Sequence, residues 1–136
     1  MIEAFSTPRS RITTLILLAV CILSAIAAAL AGIDDNPPGV LLAYLAAIAL
    51  VLAFVHPWRS VKQFRSLLLW SVIGMALFVA LNNVFAYFGH SSTTTAGLQN
   101  ALQGLAVVSF LLATMICPAA IIVGAAGWAV MAVRSR

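Results

Sequence analysis

Charged side chains are scarce in this chain, with seven Lys and Arg and three Asp and Glu among 136 residues. They make up 7% of the sequence, whereas a soluble domain carries about 25%. Hydrophobic residues reach 64%, so a water-soluble fold would have too few charges to cover its apolar surface. The composition therefore predicts an integral membrane protein and leaves no room for a soluble catalytic domain.

Ionisable residues are also missing from the central layers of the apolar runs, where Ser71 and Ser109 have no base to activate their hydroxyls. Ion-coupled carriers and intramembrane proteases usually place such groups inside the membrane, so both classes are disfavoured. The net charge of +4 forms no basic stripe on a soluble face, which argues against a nucleic-acid partner. We expect no enzymatic activity and no cofactor.

Cysteine is rare too. Cys21 and Cys117 lie far apart, each inside an apolar run, and form neither a CxxC motif nor a zinc pattern. Each is expected to be a small buried hydrophobe, with a disulfide or a soft-metal pair between the two as the alternative. His56 and His90 fall on opposite sides of the membrane in the threading predicted below, so they cannot bind one metal ion within a monomer. The sequence therefore predicts no metal site.

Four apolar runs approach the roughly 20 residues that a helix needs to cross a bilayer. They lie at about 12–31, 39–58, 66–88 and 105–131, and the polar start of the last run, GLQNALQGL, predicts an interfacial turn before its span. The expected fold is all-α, a single transmembrane domain over residues 1–136 built as a four-helix bundle. A signal peptide cleaved near Ala31 is the alternative for the first run, whose length favours an uncleaved helix.

All seven cationic residues fall on one side of this threading. They are Arg9, Arg11, Arg59, Lys62, Arg65, Arg134 and Arg136. The positive-inside rule then places both termini in the cytoplasm, with a bacterial inner membrane as the expected setting. In HPWRSVKQFRSLLLW, Arg59, Lys62 and Arg65 recur every three residues beside Trp58. This spacing predicts a short interfacial helix that contacts anionic lipid head groups, with a cytoplasmic partner as the alternative.

Small residues recur at four-residue spacing in the first and last spans, a pattern that lets membrane helices approach closely. The first set is Ser24, Ala28 and Gly32, and the second is Ala120 and Gly124 with the neighbouring Gly127. We predict that the first and fourth spans contact each other through these faces, or that one of the faces meets another subunit.

Two polar features interrupt the apolar runs. Asn82 and Asn83 lie in the outer half of the third span, and a membrane-buried amide is costly unless it is hydrogen-bonded. Pro118 has no N–H for the carbonyl of Thr114, which predicts a kink in the fourth span. Each feature has two interpretations: it fixes the bundle, or it lines a pathway.

The loop AGIDDNPPGV is predicted to be a tight hairpin between the first two helices. Gly32 can end the first helix in the left-handed conformation. Asn36 can cap the second helix, and Pro37 and Pro38 then occupy its first positions. Asp34 and Asp35 precede the positive end of that helix's dipole. A cation site there is the lesser alternative, because few other oxygen ligands are available.

The run GIDDNPPG, followed by an apolar span and HPWR, resembles a run in small uncharacterised bacterial membrane proteins with four predicted spans. The resemblance covers about Gly32 to Tyr87 and implies a fold class rather than an activity. The leading functional hypothesis is a non-enzymatic membrane protein that acts by helix packing, as a homo-oligomer or an accessory subunit. The alternative is a channel or facilitator for a small neutral or lipophilic solute, with Asn82, Asn83 and Pro118 near its path.

Overall fold

The computed structural model describes residues 8–32, 36–90 and 95–134, and these residues are helical apart from short turns. The elements are α1 (Pro8–Ala31), α2 (Pro37–Val55), α3 (Val61–Gly89), α4 (Ala96–Leu111), a π-helical turn (Leu112–Ile116) and α5 (Cys117–Arg134). The last three follow without a break and form the fourth span. The described chain thus holds four helices that are, by length and composition, able to cross a membrane. This confirms the all-α, four-helix fold class.

The turn between α1 and α2 follows its sequence closely. Gly32 has a φ of 80°, the left-handed conformation that glycine adopts without steric cost. Asn36 is the N-cap of α2 and is followed by the two prolines, but its side chain makes no bond to that helix. Its Nδ2 instead donates to the Ala31 carbonyl at 2.6 Å. Asn36 therefore precedes the first turn of α2 and also supplies a donor to the last carbonyl of α1. Asp34 and Asp35 lie outside the described residues.

The basic segment after α2 differs from the prediction. α2 ends at Val55, and residues 56–60 form a turn rather than an interfacial helix. Ser60 then starts α3 with a capping box: its Oγ accepts from the Lys62 N–H at 3.3 Å, and Gln63 Oε1 accepts from the Ser60 N–H at 3.2 Å. Part of the predicted interfacial helix is therefore the first turns of α3, because the capping box sets the start of that helix.

The helix that contains the fourth predicted span is longer than that span. α4 begins at Ala96, so GLQNALQGL is helix and not an interfacial turn. Alanine, leucine and glutamine are good helix formers, and Gln103 Nε2 ties this segment to the end of α3 by donating to the Gly89 carbonyl at 3.3 Å. The span from Ala96 to Arg134 has 39 residues. At the rise of an α-helix this is roughly 58 Å, about twice the thickness of a bilayer's hydrocarbon core.

A π turn lies immediately before Pro118, the residue at which the sequence predicts a kink. The Cys117 N–H bonds to the Leu112 carbonyl, which is five residues back instead of the four of an α-helix. The proline ring would crowd the carbonyl four residues before it. The wider turn immediately ahead of Pro118 places the change in helix geometry where that crowding would occur.

The four spans pack in a row rather than in a closed ring. In the described ranges α1 contacts α2 alone, α2 also contacts the π turn and α5, and α3 contacts every segment of the fourth span. α1 and α3 therefore lie at the two edges of the row. The predicted contact between the first and fourth spans is wrong: α2 stands between them, and the spacing of small residues marks a packing face without identifying its partner.

Candidate functional site

The small-residue face of α1 packs against α2. Ser24 and Ala28 are 8% and 2% exposed, and α2 is the neighbour that α1 contacts in the described chain. α2 carries its own buried small residues in a near-heptad repeat, at Gly39, Ala46, Ala49 and Ala53. The sequence interpretation missed this second stripe, although its spacing within an otherwise leucine-rich helix is a readable signal. Gly32 lies just beyond the interface, at the end of α1.

The small residues of the fourth span face α3 instead of α1. A Cβ placed on Gly124 would lie 3.2 Å from the backbone nitrogen of Leu68, and one placed on Gly127 would overlap the ring of Phe64. Ala120, one turn earlier on α5, is also buried. The glycines therefore allow α3 and α5 to approach more closely than side chains would permit.

The bond from Tyr44 to Thr114 links α2 to the fourth span. Pro118 has no N–H, so the Thr114 carbonyl lacks the donor that an α-helix would supply. Tyr44 donates its hydroxyl to that carbonyl at 2.9 Å. Thr114 Oγ1 donates to the Phe110 carbonyl of its own helix at 2.7 Å. The polar groups beside the proline thus have partners within the protein.

Proline also leaves a carbonyl without its helical donor near the C-terminal end of α2. Pro57 cannot donate to the Ala53 carbonyl. The fully buried Thr14 of α1 donates its Oγ1 to the Ser10 carbonyl of its own helix at 3.0 Å and lies 3.4 Å from the Ala53 carbonyl oxygen, and His56 Nδ1 lies 3.2 Å from the Ala53 oxygen. A carbonyl only accepts, so Nδ1 carries a proton, and Nε2 lies 3.2 Å from Ser10 Oγ. These polar groups join α1 to α2.

Asn82 and Asn83 have different surroundings. Asn82 Nδ2 donates to the Ala106 carbonyl of α4 at 2.8 Å, which is the interhelical bond foreseen in one of the two interpretations. Asn83 is exposed, and its Nδ2 donates to the Val79 carbonyl of its own helix at 2.9 Å. The two amides and Pro118 are therefore not brought together to line one path.

Replacing Asn82 with leucine is expected to lower the free energy of unfolding by about 0.5–1 kcal/mol, because interhelical hydrogen bonds in membranes contribute about that much. Asn83→Leu is the matched control and should change the stability of the monomer by less than about 0.5 kcal/mol, since within one chain it removes no bond between helices. Denaturant unfolding of both variants in one detergent, at a dilution that keeps the chain monomeric, measures the difference. Equal losses in the two variants would contradict this assignment.

The cations of the basic segment stay at the protein surface. Arg59, Lys62 and Arg65 are all exposed around the start of α3. Trp58 is half-buried and packs edge-on against Phe64, with ring centroids 5.7 Å apart. The three charges are free to reach a head group, while the aromatic pair anchors the turn to the core.

Nothing resembling a metal site is found where the structure describes the chain: no three His, Cys, Asp or Glu side chains are grouped to hold an ion. Both cysteines are free thiols. Cys117 faces α3, where its Sγ would lie 3.8 Å from a Cβ on Gly74, and Cys21 lines a cleft on α2. The two therefore face different helices.

One face of α3 points away from its neighbours along most of the helix. It consists of residues at alternating steps of three and four positions, all exposed: Ser66, Leu69, Ile73, Ala76, Ala80, Asn83 and Tyr87. We call this set the outward face of α3. Phe64, Ser71 and Gly89 lie on the opposite side of the helix and are buried.

An apolar cleft occupies the gap that remains because α1 and the fourth span do not meet. α2 supplies its floor, α1 one wall with Cys21, and α4 with the π turn the other wall. The floor residues are Ala43, Ala46, Ala47 and Leu50, and the fourth-span residues are Val108, Leu111, Leu112, Met115 and Ile116. The cleft has a volume of about 320 Å³ and is largely open to the surface of the bundle.

Comparison with protein-family models, with curated proteins and with solved structures finds no match for this chain. The resemblance of the GIDDNPPG run to small four-span membrane proteins receives no support from these comparisons. The outward face of α3 and the cleft on α2 are therefore the surfaces from which a function can be inferred.

Proposed function

We propose that this chain is a non-enzymatic, multi-pass membrane protein that acts by assembly, and that it associates through the outward face of α3. The observation that carries the proposal is that every residue of this face is exposed, along a helix of 29 residues at the edge of the row. The small-residue faces of α1, α2 and α5 are occupied by contacts within the chain, so assembly requires another surface.

Small residues at the centre of the outward face suit it to another helix. Lipid tails are as apolar as leucine, so membrane helices associate by close packing rather than by a hydrophobic drive. Ala76 and Ala80 lie four positions apart and would allow close approach of a second backbone. Ala25 and Ala29 on α1 have the same spacing and exposure, but the exposed residues around them are entirely apolar.

Asn83 distinguishes the α3 face, because an amide both donates and accepts hydrogen bonds. In a symmetric dimer each Asn83 would meet its own counterpart, as single polar residues do at the seams of coiled coils. A second copy of the chain is therefore the simplest partner. An accessory role beside another membrane subunit is the other form of the proposal, with a polar side chain of that subunit opposite Asn83.

The basic end of the row supports a cytoplasmic orientation and contact with anionic lipid. Arg11 lies near the start of α1, Arg59, Lys62 and Arg65 surround the start of α3, and Arg134 ends α5; all are exposed. Antiparallel neighbouring spans bring these positions to one end of the bundle. Each such cation near a negatively charged membrane surface contributes about 1 kcal/mol of attraction.

A facilitator has weaker support from the geometry. Its proposed polar lining is divided: Asn82 is bonded to α4, Asn83 lies on the outward face, and Tyr44 holds the carbonyl beside the proline. The cleft on α2 is apolar and favours binding of an apolar ligand over passage of a hydrated one.

The assembly proposal is tested by energy transfer between labelled copies in phosphatidylcholine and phosphatidylglycerol vesicles at increasing protein-to-lipid ratio. Replacing Ala76 and Ala80 together with isoleucine is expected to raise the ratio for half-maximal transfer about tenfold, which corresponds to about 1.4 kcal/mol. Ala25→Ile with Ala29→Ile adds the same bulk to the exposed side of α1 and should leave transfer unchanged.

Three results would overturn the proposal. One is a wild-type chain that stays monomeric at every ratio and retains no partner in mild detergent. Another is loss of transfer in the α1 pair but not in the α3 pair, which would place the interface on α1. The third is flux of a neutral solute through reconstituted protein that Asn82→Leu abolishes with the fold intact, which would favour the facilitator.

A further inference from the structure

We infer that the cleft between α1, α2 and the π turn is a binding site for one acyl chain of a membrane lipid. The inference concerns a different surface from the outward face of α3 and does not depend on the assembly proposal. It rests on the lining of the cleft, its position along the helices and its size.

The lining and the position exclude a polar ligand. The cleft is walled by alanine, valine, leucine, isoleucine, methionine and one cysteine, so it offers no partner to a hydrogen-bonding or charged group. Its floor, residues 43–50, lies in the middle of α2, which runs from Pro37 to Val55. In a spanning helix this is the depth of acyl chains and not of head groups.

The length of the cleft does not suit a second helix. Its fourth-span wall runs from Val108 to Ile116, which is about 12 Å at the rise of a helix. A second spanning helix would cross about 30 Å of hydrocarbon, so most of its length would lie beyond the cleft. A single acyl chain suits a short gap of about 320 Å³, and acyl chains are the molecules that surround the bundle at this depth.

The geometry around the cleft fixes its width. Tyr44 holds α2 to the fourth span through the Thr114 carbonyl, and the buried Ser24 and Ala28 pack α1 closely against α2. An empty gap would leave the half-buried floor residues Ala43 and Leu50 without contacts on one side, and a chain would restore those dispersion contacts. Because the chain comes from the bilayer and not from water, its retention depends on packing and is sensitive to added bulk.

The test counts the phospholipids retained by the full chain. The protein is reconstituted in palmitoyl-oleoyl phosphatidylglycerol and phosphatidylcholine, extracted in a steroid-based detergent, which has no acyl chain of its own, and examined by native mass spectrometry. Wild type is expected to retain one phospholipid per chain. Ala43→Phe fills the cleft with its ring and is expected to lower the fraction of chains that retain a phospholipid at least tenfold. Ala29→Phe places the same ring on the exposed side of α1 and should retain lipid as wild type does.

A second measurement keeps the inference open to refutation if Ala43→Phe does not fold. A phosphatidylcholine carrying a diazirine in the middle of one acyl chain is photolysed with the unmodified protein in the same bilayer. Adducts are expected on Ala43 and Leu50 in the floor of the cleft, at a clearly higher yield than on Ile48 and Val51, which are also half-buried on α2 but do not line the cleft. Equal lipid retention in all folded variants, or adducts confined to exposed residues, would overturn the inference.

Discussion

Replacing Gly127 with alanine is expected to lower the free energy of unfolding by about 1–2 kcal/mol. A Cβ at this position would overlap the ring of Phe64, which is 7% exposed and packs edge-on against Trp58. The ring therefore cannot move away without disturbing its neighbours. Overpacking of this kind costs about 1–3 kcal/mol, and the better helix propensity of alanine returns up to about 1 kcal/mol.

The matched control for this variant is expected to have the opposite effect on the free energy of unfolding. Gly104 lies on an exposed side of α4, and a Cβ added there would meet nothing within 4 Å. Gly104→Ala should therefore raise the free energy of unfolding by up to about 1 kcal/mol through helix propensity alone. Denaturant unfolding of the two variants in one detergent gives the comparison. A gain in stability for both would show that α3 and α5 do not approach as closely as described.

A double variant separates overpacking from a general effect on the helix. In a Phe64→Leu background the ring that the new methyl would strike is absent, so Gly127→Ala should cost much less than in wild type. Contacting residues of this kind show interaction energies of about 0.5–3 kcal/mol. An unchanged cost in the Phe64→Leu background would mean that the loss arises elsewhere than at this contact.

Local rules account for the hairpin between α1 and α2, but not for the pairing of the helices. Gly32, Asn36 and Pro37 each act within a few residues of their own position, where steric preferences of the backbone are decisive. The pairing of spans depends on distant residues. Small-residue spacing marked the buried faces of α1 and α5, yet it gave the wrong partner. The short α1–α2 turn was the better guide, since consecutive elements are usually neighbours.

The hydrogen-bond partners of the polar side chains within the spans could not be predicted from the sequence either, for a different reason. Asn82 and Tyr44 both donate to backbone carbonyls, those of Ala106 and Thr114. Every residue has a carbonyl, so no side-chain pattern marks which one is the acceptor. Proline is the exception, because it identifies the carbonyl that loses its helical donor. Release of the Thr114 carbonyl was therefore predictable, whereas the donor that replaces the missing N–H was not.

The second large effect on stability is expected at Tyr44, which supplies the donor that Pro118 lacks. Tyr44→Phe removes the hydroxyl that bonds the Thr114 carbonyl and is expected to lower the free energy of unfolding by about 1 kcal/mol, within the range found for hydrogen bonds between membrane helices. Tyr87→Phe is the matched control. Tyr87 is 75% exposed on the outward face of α3. In denaturant unfolding at a dilution that keeps the chain monomeric, loss of its hydroxyl should change the free energy of unfolding by less than about 0.5 kcal/mol.

Pro118→Ala tests whether the Tyr44 hydroxyl stabilises the fold because Pro118 has no N–H. Alanine restores a backbone N–H that α-helical pairing directs at the Thr114 carbonyl, so that oxygen would no longer depend on Tyr44. In a Pro118→Ala background, Tyr44→Phe should therefore cost clearly less than in wild type, and the double variant should be more stable than the sum of the two single effects predicts. Strict additivity would mean that Tyr44 contributes by packing its ring and not by replacing the donor that Pro118 lacks.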